Sequence, residues 1–107
     1  MRDEYLSMLD ATQELTIIRM PAHIDSTGVK QLADQFHQKI QPHSGVILDL
    51  SQTHVVELDA AHILIQGLAI AKQRSAKLSL MGVQSHIAAI LTATGVLQHF
   101  RKLESAH

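Results

Sequence analysis

The chain lacks cysteine and tryptophan altogether, and aromatic residues make up only 3% of its 107 residues. Without cysteine there is no disulfide framework, no thiolate metal site and no cysteine nucleophile. So few aromatic side chains argue against base-stacking surfaces for single-stranded nucleic acid. The formal net charge is -1 at pH 7, so no net field attracts nucleic acid or an anionic membrane. We therefore expect no nucleic-acid binding.

Long apolar runs and targeting signals are also missing from the sequence. No stretch approaches the roughly 18 to 20 apolar residues of a membrane span. The first residues, M-R-D-E-Y, carry acids where a secretory signal would carry bases. These features predict a cytoplasmic protein without direct membrane insertion. The length suits a single domain over residues 1–107, and the 46% hydrophobic content is enough for one core.

The apolar patterning predicts an alternation of strands and helices. β-Branched and apolar runs predict strands at Tyr5–Leu9, Leu15–Met20, Gly45–Leu50 and Lys77–Met81. D-A-T-Q separates the first two strands and supplies turn residues, which favours a hairpin. Helical spacing predicts helices from about Val29 to Ile40, from Asp59 to about Arg74 and after Ser85. Strand, long helix and strand make a βαβ unit with a right-handed crossover and parallel strands.

These elements predict an α/β fold with one mixed central sheet of about four to five strands and about three to four packed helices. Asp25 or Ser26 is a suitable N-cap for the first of the helices. Gly95 suits the left-handed position that ends the third helix. V-L-Q-H-F then adds a short final element, and residues 102–107 are expected to form a frayed tail.

No pattern in the chain indicates a catalytic, metal or cofactor site. The eight histidines include no pair at i and i+4 on a helix and no H-E-x-x-H motif. No serine stands in a G-x-S-x-G elbow, and the five glycines are too scattered for a phosphate-binding loop. We therefore expect a protein that is not an enzyme and that uses no metal and no cofactor.

The predicted helix after Asp59 is apolar almost all round, with few polar residues before Lys72. Such a helix is either buried within its own domain or presents one face to a partner. Asp59 has the residue type and position of an N-cap. Ala60 and Ala61 follow it and offer no side-chain chemistry at the start of the helix. Both interpretations of the helix stay open at this point.

The segment V-I-L-D-L-S-Q-T-H-V-V-E-L-D-A-A-H-I-L-I-Q-G-L resembles the central part of STAS domains, the sulphate-transporter and anti-sigma-factor-antagonist family. Asp49, Leu50, Ser51 and Asp59 match the family pattern of apolar residues, D-L-S and a later I-D-S-S-G. I-D-S-T-G-V-K-Q-L and K-L-S-L-M-G-V-Q-S-H-I-A-A-I-L-T-A-T-G-V are similar to the first-helix start and the final strand and helix of the family. The resemblance covers about residues 13–101 and implies a single STAS-like domain.

The resemblance implies a protein of a bacterial partner-switching system. In such antagonists a kinase-type anti-sigma factor phosphorylates the hydroxyl that follows the aspartate, and the added charge ejects the partner. Ala60 and Ala61 stand at the hydroxyl positions, so the usual switch is not expected to operate. Ser51 and Thr53 are substitute acceptors. By resemblance, the expected partner-binding residues are Asp25, Asp59, Ala60, Ala61, His62 and Ile63.

The resemblance also implies two alternatives to an anti-sigma-factor antagonist. Some single-domain STAS proteins are accessory subunits of ABC-type transport complexes, where the partner is a transport ATPase subunit. Others are structural components of larger signalling assemblies, and a homodimer is a further possibility. All of these are protein-interaction functions, and they differ in the partner.

Overall fold

A three-stranded parallel sheet forms the centre of the fold. The structure, a computed structural model, describes the backbone of residues 15–105 and the side chains of residues 15–100. The strands are β1 (Leu15–Arg19), β2 (His23–Ile24), β3 (Gly45–Asp49), β4 (Val55–Val56) and β5 (Lys77–Met81). The helices are α1 (Val29–Lys39), α2 (Ile63–Gln73), α3 (Ser85–Ala93) and α4 (Val96–Ser105), with a 3-10 turn at Leu58–Ala60.

The strand order confirms the predicted βαβ arrangement. The central sheet has the order β1-β3-β5, and β2 and β4 form a separate two-stranded ladder. Ile17 lies beside Ile47, which lies beside Ser79, in the parallel register of the three strands. Every strand pairing within residues 15–105 is parallel. The antiparallel pairing that would make the sheet mixed involves Tyr5–Leu9, which lies outside the described residues.

Helix α2 is a buried crossover helix, which decides between the two interpretations of its apolar sequence. Its buried residues are Ile63, Leu64, Gly67, Leu68, Ile70 and Ala71. The helix contacts α1, β5 and α4, so most of its circumference is covered by its own domain. Burial of each leucine or isoleucine contributes about 1.5–3 kcal/mol. A β-carbon on Gly67 would lie 3.0 Å from Cε2 of Phe36, so this glycine lets α1 and α2 pack closely.

The ends of the helices differ in part from the sequence expectations. Asp25 accepts a hydrogen bond from the Gly28 N–H at 3.1 Å, in the turn that leads to α1, although the helix itself begins at Val29. The other end of α1 is capped by Arg74, whose Nη1 donates to the carbonyl oxygens of His37 and Ile40 at 2.8 and 2.9 Å. Helix α4 continues to Ser105 and is longer than the short element predicted. No helix within the described residues has the length and hydropathy that a membrane span requires.

Gly82 directly follows β5 and lies close to the loop that follows β3. Its φ is +70°, and a β-carbon there would lie 2.9 Å from Cβ and 3.0 Å from the backbone nitrogen of Ser51. Gly95 also has a positive φ, +83°, but nothing lies within 4 Å of its β-carbon position. A side chain at position 82 would therefore meet both backbone strain and a steric clash. A side chain at position 95 would meet backbone strain alone.

Replacing Gly82 by alanine is expected to destabilise the protein more than replacing Gly95. Both substitutions place a β-carbon in the left-handed region, at a cost of roughly 1–2 kcal/mol. Gly82→Ala adds an overpacked contact worth about 1–3 kcal/mol, because the backbone of Ser51 cannot move aside as a flexible side chain would. Urea unfolding of both variants measures the difference. Equal losses of stability would show that Gly82 and Ser51 are not in close contact.

Candidate protein-interaction site

Two loops meet at one end of the β2–β4 ladder. Since β2 and β4 run parallel, the chain leaves both strands at the same end, into the turn at residues 25–28 and the segment at residues 57–62. Hydrogen bonds fasten the two loops together. The Glu57 N–H donates to the carbonyl oxygen of Ile24 at 2.9 Å, and the Ser26 N–H donates to Oε1 of Glu57 at 3.2 Å.

Asp25 organises the first of these loops. Its Oδ1 accepts hydrogen bonds from the Thr27 hydroxyl at 2.7 Å and the Gly28 N–H at 3.1 Å. The Thr27 hydroxyl is the main cause that lowers the pKa of Asp25, and the N–H groups of Gly28 and Thr27 add to the effect. Asp25 therefore carries a negative charge at neutral pH, within a half-buried position beside the second loop.

The two alanines that lack side-chain chemistry are part of the core. Ala60 and Ala61 are 2% and 0% exposed, and Ile63 is 2% exposed. The family resemblance implies that these three residues lie on the partner-binding surface, whereas the structure places them inside the domain. The 3-10 turn at Leu58–Ala60 causes the difference, because it directs Ala60 and Ala61 inward before α2 begins. Small side chains at these positions are a packing requirement.

Asp59 does not cap α2, so that prediction was wrong. The helix begins at Ile63, its N-cap residue is His62, and no side chain makes a cap hydrogen bond there. Asp59 lies in the 3-10 turn, which has no side-chain cap either. The N–H groups of this turn donate to backbone carbonyl oxygens instead. The Ala60 N–H, for example, donates to the carbonyl oxygen of Glu57 at 3.0 Å. Asp59 and His62 are both exposed.

Leu58 is a site residue that no motif in the sequence singles out. Its side chain is 63% exposed, between the exposed carboxylates of Glu57 and Asp59. Within V-V-E-L, Val56 is buried and Val55 is 43% exposed. The sequence signal for the exposure of Leu58 is its position as an isolated leucine between two acids. Asp25, Glu57, Leu58, Asp59 and His62 together form what we call the Leu58 surface.

The D-L-S motif fastens a different loop, the one that follows β3. Asp49 accepts a hydrogen bond from the Ser51 N–H at 2.9 Å. This bond is the main cause that lowers the pKa of Asp49, followed by the Ser51 hydroxyl and, more weakly, the charge of Arg19. Gln84 Nε2 donates to the carbonyl oxygens of Ser51 and Thr53 at 3.2 and 2.9 Å. The motif therefore has a structural role at the carboxyl end of the sheet.

The two substitute acceptor residues differ in accessibility. Thr53 is 0% exposed, and its hydroxyl donates to the carbonyl oxygen of Pro21 at 2.9 Å. A phosphoryl group on Thr53 would break this bond and require the loop to open. Ser51 is exposed, so it is the accessible hydroxyl of the two.

Histidines come close to one another beside the D-L-S loop without forming a metal site. His86 Nε2 lies 2.9 Å from the carbonyl oxygen of His54, and His54 Nδ1 lies 3.4 Å from Gln84 Nε2. Within the described part of the chain, no three histidine, aspartate or glutamate side chains are grouped as metal ligands. The chemistry at the Leu58 surface is an exposed apolar side chain among carboxylates, which suits contact with another protein.

Comparison with known families gives a match over most of the chain. The family model described as STAS domain matches residues 7–107, a range that includes all the strands, helices and loops described above. No curated protein and no solved structure matches the chain significantly.

Proposed function

The chain belongs to the STAS domain family, and we propose from this premise that it is an anti-sigma-factor-antagonist-like interaction protein. STAS domains are in general protein-interaction modules. In this proposal the chain binds a kinase-type anti-sigma factor or a similar regulator, and the Leu58 surface makes the contact. The observation that carries the proposal is the 63% exposure of Leu58 on a loop that is fixed by backbone hydrogen bonds.

The Leu58 surface has the physical properties that favour binding. Burial of an exposed leucine in a partner pocket contributes about 1.5–3 kcal/mol. The bonds from Glu57 to Ile24 and from Ser26 to Glu57 hold the two loops before the partner arrives. A preformed loop loses less conformational freedom on binding, so more of this energy appears as affinity. The carboxylates of Asp25, Glu57 and Asp59 favour a partner with positive charges around an apolar pocket.

The proposal includes the absence of the usual phosphorylation switch. Phosphoryl transfer requires a hydroxyl that the kinase can reach, and Ala60 and Ala61 have neither a hydroxyl nor exposure. Control of the interaction then lies in the abundance of the protein or in the partner. The protein is permanently in its binding-competent form.

Incubation with the kinase-type anti-sigma factor of the same cell and ATP is expected to leave the mass of the protein unchanged. Ala60→Ser and Ala61→Ser variants are expected to stay unmodified as well, because each new hydroxyl would be buried. Intact-mass spectrometry measures all three proteins. Addition of one phosphoryl group to the wild type would contradict the proposal. If Ser51→Ala then removed the modification, the switch would lie at the end of β3.

A second candidate function uses the same surface. The missing hydroxyl at positions 60 and 61 also suits an accessory subunit of an ABC-type transport complex, which needs no phosphorylation switch. In that case the partner is the transport ATPase subunit. The two functions are distinguished by titrating the wild type and a Leu58 variant into the purified ATPase subunit and, in parallel, into the purified anti-sigma factor. The true partner is the one whose affinity for the protein depends on Leu58.

A further inference from the structure

Helices α1 and α2 run side by side between two ends of the domain that differ in charge. Both helices begin at the Leu58 surface, since α1 follows the turn at residues 25–28 and α2 follows the segment at residues 57–62. They also end together, because Arg74, which directly follows α2, donates to the carbonyl oxygens of His37 and Ile40 at the end of α1. Each helix has 11 residues, so the two ends lie roughly 16 Å apart.

Basic side chains gather where the two helices end. The last turns of both helices contain basic residues. The carbonyl oxygen of Arg74 accepts a hydrogen bond from the His43 N–H at 3.0 Å, which places the loop after α1 beside the end of α2. The Lys77 N–H donates to the carbonyl oxygen of Ser44 at 2.9 Å, so the start of β5 lies beside the same loop. We call this cluster the basic end, and its members are His37, Lys39, His43, Lys72, Arg74 and Lys77.

Helix dipoles explain part of the basic end. A cation in the last turn complements the partial negative charge at the C-terminus of a helix, which accounts for Lys39 and Lys72. His43 and Lys77 lie outside the helices, and their side chains are exposed. Between them, the two helices contain a single acid, Asp34. The basic end therefore carries more positive charge than the two helix termini require.

The Leu58 surface, at the other end of the helices, is acidic. It contains Asp25, Glu57 and Asp59, against one lysine, Lys30, in the first turn of α1. Opposite charges at the two ends of one chain are complementary between copies. We propose that the basic end of one copy docks on the Leu58 surface of a second copy, head to tail. This contact joins two different surfaces, so it is not a two-fold dimer, and each pair leaves one surface of each kind free for a further copy.

An apolar contact adds to the charge attraction. Exposed ion pairs alone contribute little to affinity. Leu58 is 63% exposed, and the basic end of a second copy offers it the exposed ring of Pro42 and the methylene groups of Lys39 and Lys72. The contact is small and largely charged. We therefore expect a weak association, with a Kd on the order of 0.1–1 mM, that salt suppresses.

The head-to-tail contact would regulate access to the Leu58 surface. A copy whose Leu58 surface is docked cannot present it to another protein, so self-association competes with binding of the regulator. This consequence rests on the proposed function, whereas the contact between copies does not. Self-association is measured on the purified protein alone, so its result does not depend on whether an anti-sigma factor binds.

Sedimentation equilibrium of the full-length protein at concentrations up to about 1 mM tests the contact. The average mass should rise with concentration at low salt and fall to that of the monomer at about 0.5 M salt. Lys39→Glu and Asp59→Lys each reverse one exposed charge, one on each surface, and each should weaken the association by roughly tenfold. An equimolar mixture of the two variants should associate about as strongly as the wild type, because the two reversed charges attract each other.

Ala89→Glu/Gln98→Glu is the matched control. Like Lys39→Glu it lowers the net charge by two, but it places the change at exposed positions of α3 and α4, so it should associate like the wild type. Three results would overturn the proposal. The wild type could stay monomeric at about 1 mM in low salt, or the control could weaken the association as much as Lys39→Glu does. The third is a mixture that associates no better than its components, which would show that the two surfaces do not meet.

Discussion

Replacing Ala61 by arginine is expected to destabilise the fold by at least about 3 kcal/mol. Ala61 is 0% exposed, so the substitution puts a large side chain and an unpaired charge into a packed core. Leaving a buried charge without a partner costs about 3–5 kcal/mol, and the extra volume adds to this cost. A single domain has about 5–15 kcal/mol of stability in total, so this cost removes a large part of it. Circular dichroism and urea unfolding of the purified variant measure the loss.

His62→Arg is the matched control for this experiment. The same side chain is added at the next position, but His62 is exposed, so the change in stability should stay within about 0.5 kcal/mol. An Ala61→Arg protein as stable as His62→Arg would place Ala61 on the surface. That result would restore the expectation that the alanines contact a partner.

Replacing Leu58 by arginine is expected to remove binding and leave the fold intact. The leucine is 63% exposed in the free protein, so its removal should change the free energy of unfolding by no more than about 0.5 kcal/mol. In the complex its loss should cost at least about 2 kcal/mol, the level of an interface hot spot, or roughly thirtyfold in affinity. Arginine also places a positive charge between Glu57 and Asp59, which weakens their attraction for a basic partner.

Leu58→Ala separates the two causes of this loss. Alanine removes the apolar contact without adding a charge, so it should weaken binding less than arginine does. Raising the salt concentration should narrow the difference between the two variants, because salt screens charge interactions between exposed groups. If alanine and arginine weaken binding equally at low salt, the carboxylates beside Leu58 do not contribute to recognition.

Much of the fold follows from apolar patterning that can be read in the sequence. G-V-I-L-D-L predicts a central strand because residues on both of its faces are apolar, and β3 has neighbours on both sides. The near-complete apolar character of α2 follows from its position between α1, β5 and α4. These predictions succeed because burial is a property of whole segments, and whole segments carry a clear pattern.

The details of the candidate site were harder to predict because they depend on single residues at a helix start. Asp59 has the chemistry of an N-cap, yet a 3-10 turn moves the start of α2 to Ile63. Alanine is compatible with both the core and the surface, so sequence alone does not reveal that Ala60 and Ala61 are buried. The exposure of Leu58 follows from the same turn. A shift of a few residues in the helix start exchanges which side chains face water.

The D-L-S motif shows a second reason why the sequence alone does not predict the roles of site residues. Its resemblance to the family pattern is visible in the sequence, but the role of each residue depends on distant partners. Asp49 holds the N–H of Ser51, while Gly82 and Gln84 approach the same loop from the end of β5 and the start of α3. Contacts between residues about 30 positions apart are set by the packing of the sheet. A single sequence contains no local signal for them.

Titration of the purified kinase-type anti-sigma factor of the same cell with three forms of the protein tests the central claim most directly. The forms are wild type, Leu58→Arg and Ala89→Arg, where Ala89 is an exposed residue of α3 that is not one of the residues of the Leu58 surface. Isothermal titration calorimetry should give the same affinity for wild type and Ala89→Arg, and an affinity at least roughly thirtyfold weaker for Leu58→Arg. Equal affinities for all three folded proteins would contradict the account, because the partner would then bind elsewhere on the domain.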